Sequence, residues 1–222
     1  MPQPMTLKLA KLITGHISGL GVPSKMPGFS TALSAYACIT GKKLSEIEGT
    51  ACSCCYAMGR GRYGAPAVQK GHARRFAALG HPLWVAGMVR LIGHYTDPAD
   101  PFFRIHDSGD FQSAEHVIRW VEIARQLPWV QFWAPTQERR FVATARFTVG
   151  VANWPTNLVI RLSSIMVGQP PKRSSLPTST IRSGVGFACR AYDTKPASCD
   201  SPDSKCRACW DPSVRNIDYR QQ

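Results

Sequence analysis

Eight cysteines fall into two groups, and both groups have the chemistry of metal ligands. Cys189, Cys199, Cys206 and Cys209 close on a C-x-x-C pair in KCRACW. Such a pair brings two thiolates to one ion from a single turn, and two further cysteines complete a tetrahedral set. The spacing predicts a closed structural zinc site, and four thiolates suit an iron–sulfur cluster as well. The second group, Cys38, Cys52, Cys54 and Cys55, lies around TACSCCYA. Its expected ligands are Cys38, Cys52 and Cys55, because adjacent residues rarely serve one ion; the spacing does not specify the metal. The alternative is a disulfide framework. Against it stand the neighbouring Cys54 and Cys55, an N-terminus without a signal-peptide core, and a chain long enough to bury a core without staples.

A second constellation lies mid-chain, in Arg104-Ile105-His106-Asp107-Ser108-Gly109-Asp110-Phe111-Gln112. It places two carboxylates, an imidazole and a hydroxyl where a strand gives way to a helix. His106, Asp107 and Asp110 have the types needed for a general base, a nucleophile or a hydrogen-bond orienter. Turn and capping roles for Asp107 and Ser108, and an interior role for His106, are the plainer alternative. Glu138 is a further candidate carboxylate, weighed against a helix-terminal acid that complements the helix dipole. Arg161, Ser163 and Ser164 lie on or after another strand and are expected to approach the same sheet edge.

Lys and Arg total 27 against 14 Asp and Glu, a formal charge of +13. An excess of this size argues about partners, and nucleic acid is the usual one. Arg104, Arg74, Arg75, Arg139, Arg140 and Arg161 are the expected contacts, set against a basic surface that binds nothing specific. No apolar run is long enough to span a bilayer, so no membrane partner and a cytoplasmic location are expected.

These residues need a frame, and the middle third predicts one. PFFRIHD (101–107), WVQFWAPT (129–136) and NLVIRLSSI (157–165) read as strands. Between them, a helix capped by Ser113 carries Val117, Ile118, Val121 and Ala124 and stops at Pro128, and ERRFVATARF (138–147) reads as another. Residues 68–79 and 82–95 add two more. Strand and helix in alternation predict an α/β fold with a parallel sheet and crossover helices; an open sheet and a small or incomplete (β/α) barrel both fit the length. Residues 1–186 are expected to form the α/β domain, including a Pro/Ser/Gly-rich linker at 168–186. Residues 187–222 would be a cysteine-rich segment organised by metal and packed on it.

The segment Asp107-Ser108-Gly109-Asp110-Phe111-Gln112 resembles the DSGGFQ segment of tRNA-guanine transglycosylases, zinc-containing barrels with DNA-modifying phage paralogues. The resemblance implies base exchange on guanine, with Asp107 handling the base and Asp110 or Glu138 as partners. TACSCCYAMGRGRYG, FFRIHDSGDFQSAEHVIRWVEIA, the WAPT strand end and CRACWDPSVRNIDY are similar to a poorly characterised group of phage and plasmid gene products, which implies a mobile-element setting. CSCCYA also resembles the C-x-x-C-Y ending of radical S-adenosylmethionine motifs, which implies an iron–sulfur cluster on Cys38, Cys52 and Cys55. The leading expectation is a metal-containing enzyme that modifies nucleic acid, DNA before RNA, by base exchange. A non-catalytic metal-stabilised DNA-binding protein and an iron–sulfur radical-type enzyme are the alternatives.

Overall fold

Residues 5–59, 61–201 and 205–220 are described by the structure, a computed structural model. Seven strands form one sheet: β1 (Phe29–Ser30), β2 (Phe102–Arg104), β3 (Gln131–Thr136), β4 (Leu158–Ser163), β5 (Thr178–Ile181), β6 (Phe187–Ala188) and β7 (Asn216–Tyr219). Their spatial order is β1-β2-β3-β4-β5-β7-β6, and every pair runs parallel. The sheet is open, with β1 and β6 at its edges. Of the forms expected, a small barrel closed on itself is not found among the described residues. An antiparallel bridge between Gly21 and Ser30 covers the outer side of β1.

The predicted helices form where the periodicity places them. They are α3 (Pro66–Ala78), α4 (Trp84–Tyr95), α5 (Ala114–Gln126) and α6 (Arg139–Val149), joined by α1 (Leu7–Thr14) and the short α2 (Ile39–Ser45). Ser113 caps α5 by accepting from the His116 amide at 3.0 Å, an interaction worth about 1 kcal/mol. Alternation along the strands then separates two faces. Phe103, Ile105, Phe132, Ala134, Leu158 and Ile160 enter a core with Met88, Leu91 and Ile92 of α4 and with Val117, Trp120 and Val121 of α5. The intervening Trp133 and Val159 turn to the opposite face, where they meet Cys209, Trp210 and Ile217. Helices thus cover one side of the sheet, and the cysteine-rich C-terminal segment covers the other.

Two stretches differ from expectation. The linker at 168–186 contains β5, an interior strand between β4 and β7. Its Thr-Ser-Thr-Ile sequence has no hydrophobic signal, because polar side chains secure it. Thr178 Oγ1 donates to Asn216 Oδ1 at 2.8 Å, and Thr180 Oγ1 donates to Asp218 Oδ1 at 2.8 Å. Residues beyond 187 supply β6 and β7 to the same sheet.

Candidate functional site

All eight cysteines line one cavity of about 340 Å³. Its floor is the sheet face opposite the helices, through Arg104, Trp133, Pro135, Ser179, Ile217 and Tyr219. The loop after β1 supplies one wall and residues 189–209 another. In open parallel sheets, ligands bind in crevices outside the carboxyl ends of the strands. Here the loops that follow β1 and β6 bring the two cysteine groups to that edge.

Cys38 is the N-cap residue of α2. Gly41 lies one turn later, and a Cβ there would sit 3.1 Å from Cys38 Cβ, 3.6 Å from Cys52 Sγ and 3.7 Å from Cys38 Sγ. A glycine inside a helix costs about 1 kcal/mol relative to alanine; at this position it leaves room for two sulfurs. Burial is the main cause that pushes the Cys38 thiol up, with Asp110, Cys55, Cys52 and Glu138 adding to it. Cys52 is pushed up to about 12 by burial, then by Cys55 and Asp110. On the other wall, burial takes Cys199 to about 11 and Cys209 to about 12. The thiol of Cys199 donates to the Lys25 carbonyl at 3.0 Å, and Cys209 Sγ meets Tyr219 Oη at 3.2 Å.

These side chains are gathered but not drawn into a coordination sphere. Among the described residues no group of three or more His, Cys, Asp or Glu side chains is close enough to hold a metal ion. The tetrahedral arrangement expected of Cys189, Cys199, Cys206 and Cys209, and the convergence of Cys38, Cys52 and Cys55, are therefore not preformed. Buried protonated thiols have no electrostatic reason to converge without a cation among them.

The mid-chain carboxylates separate into different roles. Asp107 lines the cavity. One carboxylate oxygen accepts from Arg104 Nη1 at 3.0 Å and the other from Tyr63 Oη at 2.5 Å. Its amide donates to the Thr31 carbonyl at 2.7 Å, and its own carbonyl accepts from Tyr56 Oη at 2.6 Å. Gly109, at φ +79°, makes this turn possible: a Cβ there would come within 2.7 Å of Leu33 Cβ. Asp110 is buried and accepts from the amides of Phe111 and Gln137 and from Thr136 Oγ1. Burial pushes it up to about 7 against those three donors. It ties the end of β2 to the end of β3.

Glu138 does not line the cavity. Its carboxylate accepts from the Thr40 amide at 2.6 Å and from Thr40 Oγ1 at 2.7 Å, so it caps α2 from outside and fixes Cys38 in place. The expectation of a cavity carboxylate is corrected to a positioning one. Glu138→Ala should leave two half-buried donors without their partner, at a cost of about 1 kcal/mol, and should expose Cys38. Alkylation of Cys38, followed by mass spectrometry, should speed up markedly while that of Cys209 does not change. Unaltered Cys38 reactivity would remove this role.

His106 lines the cavity but is almost wholly buried. It sits at φ +64°, with both ring nitrogens buried and without partners among the described residues. Burial, with His116 and Arg104 nearby, holds it well below its ordinary value, so it is neutral.

Arg161 departs furthest from expectation. It is fully buried, with its guanidinium turned to backbone carbonyls. Its guanidinium donates to the carbonyls of Cys209 (2.9 Å), Thr178 (3.5 Å), Val214 (2.6 Å), Ala208 (2.9 Å) and Asp211 (2.6 Å). It is the clasp that holds the C-terminal segment on the sheet. Arg75 Nε donates to the Ala32 carbonyl at 2.6 Å, and Arg139 Nη2 to the Ser163 carbonyl at 2.7 Å. Arg74 is half-buried and Arg140 exposed. Of the six arginines singled out from the sequence, Arg104 alone lines the cavity.

Residues 8–216 match the sequence model of one family, described as gene product 88. The chain belongs to the gene product 88 family. The match takes in both cysteine groups and every strand as far as the first residue of β7. No curated protein and no solved structure matches the chain. In this gene product 88 chain the cationic wall residues are Lys25, Arg190 and Arg220, together with Arg104. Sequence reasoning missed the first three, since each stands apart from the basic pairs that drew notice. Among the described residues, no helix is long and apolar enough to cross a membrane.

Proposed function

We propose that the chain is a metal-containing enzyme that modifies a nucleic-acid base in this cavity, with Cys38, Cys52 and Cys55 as ligands of an iron–sulfur cluster. One observation carries the reading. Two cysteine groups line a single cavity that also holds the Arg104–Asp107 pair. A structural metal site is closed by four ligands, whereas three thiolates leave a position open. The donor set fits in type, and Cys38 and Cys52 lie near one another beside Gly41, so binding would draw the three thiols together from positions where they do not yet converge. A bound cation would offset the burial, and the repulsion added to it, that keep the thiols protonated. Cys189, Cys199, Cys206 and Cys209 would hold zinc and order the segment that carries them.

The cavity volume suits a small planar ligand, in the range of about 300–1,000 Å³ usual for such sites. The charge of +13 and the resemblance to mobile-element products favour nucleic acid, DNA before RNA. Base exchange at Asp107 is the form of modification that the DSGDFQ segment favours.

The test is anaerobic purification with iron, sulfide and zinc analysis. A brown protein is expected, and Cys38→Ala, Cys52→Ala and Cys55→Ala should each lose the colour while Cys54→Ala keeps it. A colourless protein containing only zinc rejects the cluster. Nucleosides from DNA of cells with and without the protein, compared by mass spectrometry, should differ. Unchanged nucleosides with retained DNA affinity would leave a binding protein instead.

A further inference from the structure

The ionisable residues of the cavity wall do not balance. Lys25, Arg104, Arg190 and Arg220 face Asp107 and Asp110. Asp107 is committed to Arg104, and Asp110 to three donors at the strand ends. The remaining three cations lie at the C-terminal wall, two of them over the ring of Tyr192. Lys25 Nζ lies 5.0 Å from its centroid and Arg220 Cζ 5.7 Å. Arg190 Nε and Arg220 Nη2 share one carboxylate, Asp193, at 3.6 and 3.3 Å. Among the described residues no carboxylate pairs with Lys25.

The cluster is held rather than trailing. The Lys25 carbonyl accepts from both the amide and the thiol of Cys199, so the segment is pinned to the cysteine loop. Three cations share this wall with a single carboxylate, Asp193, so the wall keeps a net positive charge that an anion would complement. Two guanidiniums and an ammonium suit phosphate oxygens, through charge-assisted hydrogen bonds. The adjoining floor is aromatic and apolar, through Trp133, Ile181 and Phe187, and suits a planar ring.

We infer that Lys25, Arg190 and Arg220 form a phosphate seat at the cavity wall, so that the ligand is a nucleotide rather than a free base or nucleoside. This rests on the reading of the cavity as a base-modifying site and adds which part of the substrate the C-terminal wall takes.

The test measures binding of a deoxynucleoside, its 5′-monophosphate and a short single-stranded oligonucleotide to the anaerobically purified full chain. A phosphate-bearing probe should bind about ten-fold or more tightly than the nucleoside. In a Lys25→Gln/Arg220→Gln protein that preference should collapse towards unity. A Lys8→Gln/Lys42→Gln protein, which loses the same charge at two exposed sites off the cavity, should keep it. If the monophosphate shows the effect, the seat takes a free nucleotide; if only the oligonucleotide does, the phosphate belongs to a strand. Equal binding of nucleoside and phosphate probes overturns the seat. So does an equal loss in the control protein, or no binding of any probe. Metal content, measured on the same samples, keeps the two readings apart. A metal-free protein with the preference loses only the cluster, and a cluster-bearing protein without it loses only the seat.

Discussion

Arg161→Met should release residues 206–214 from the sheet while the helical side of the protein stays folded. Methionine keeps much of the volume but none of the donors, so five carbonyls lose their shared partner at once. A buried acceptor left unsatisfied costs about 1–3 kcal/mol, and several are left here. The loss should fall locally, because the helix-side core makes its contacts on the other face of the sheet. Hydrogen exchange should therefore quicken at Cys209, Trp210 and β7 and remain slow in α4 and α5. Trp210 should lose its bond to the Phe103 carbonyl, now 3.1 Å, and its edge contact with Trp133. On the proposed reading, the zinc content assigned to the C-terminal cysteines should drop in parallel. Arg161→Lys is the informative companion, since one ammonium cannot reach the whole arc of carbonyls. A stable Arg161→Met protein with unaltered exchange would show that Trp210 and Ile217 suffice to hold the segment.

The same residue shows where sequence reading stops. Arg161 sits in an apolar run, LVIRLSSI, and an arginine among Leu, Val and Ile at a strand end is equally suited to reach a phosphate or to clasp a loop. Only the carbonyls of residues 208–214, nearly fifty positions away, decide between them. Glu138 is similar: a carboxylate ahead of α6 reads as a helix-terminal acid or a catalytic one, yet it caps α2, whose Thr40 lies 98 residues earlier. The helices and strands of the middle third were legible because their burial follows periods of 3.6 and 2, which apolar side chains record directly. β5 and β7 were not, because Thr178, Thr180, Asn216 and Asp218 hold them through polar bonds that leave no apolar pattern. The cysteines were legible as ligand types. Their meeting at one cavity was not, because it depends on β6 and β7 returning the C-terminal segment to the sheet.

Asp107→Asn should leave nucleotide binding nearly intact and reduce base modification by two orders of magnitude or more, the rough scale for loss of a general base. The substitution keeps the shape of the side chain, and the backbone bonds to Thr31 and Tyr56 do not involve the carboxylate. Tyr63 can still donate to the remaining carbonyl oxygen, but the new amide places a donor against Arg104 Nη1. Some stability is therefore lost with the ion pair, and that loss has to be separated from chemistry. Two companions do so. Tyr63→Phe removes a hydrogen bond and keeps the carboxylate, and Arg104→Lys keeps the charge opposite it. If Asp107 acts on the substrate, both companions should retain most of the nucleoside modification seen by mass spectrometry, and the asparagine variant should retain almost none at equal protein stability. If Asp107 is only the junction that joins the end of β2 to the Tyr56–Tyr63 loop, all three variants should lose activity in proportion to stability. That outcome would move the chemistry from Asp107 to the thiols across the cavity.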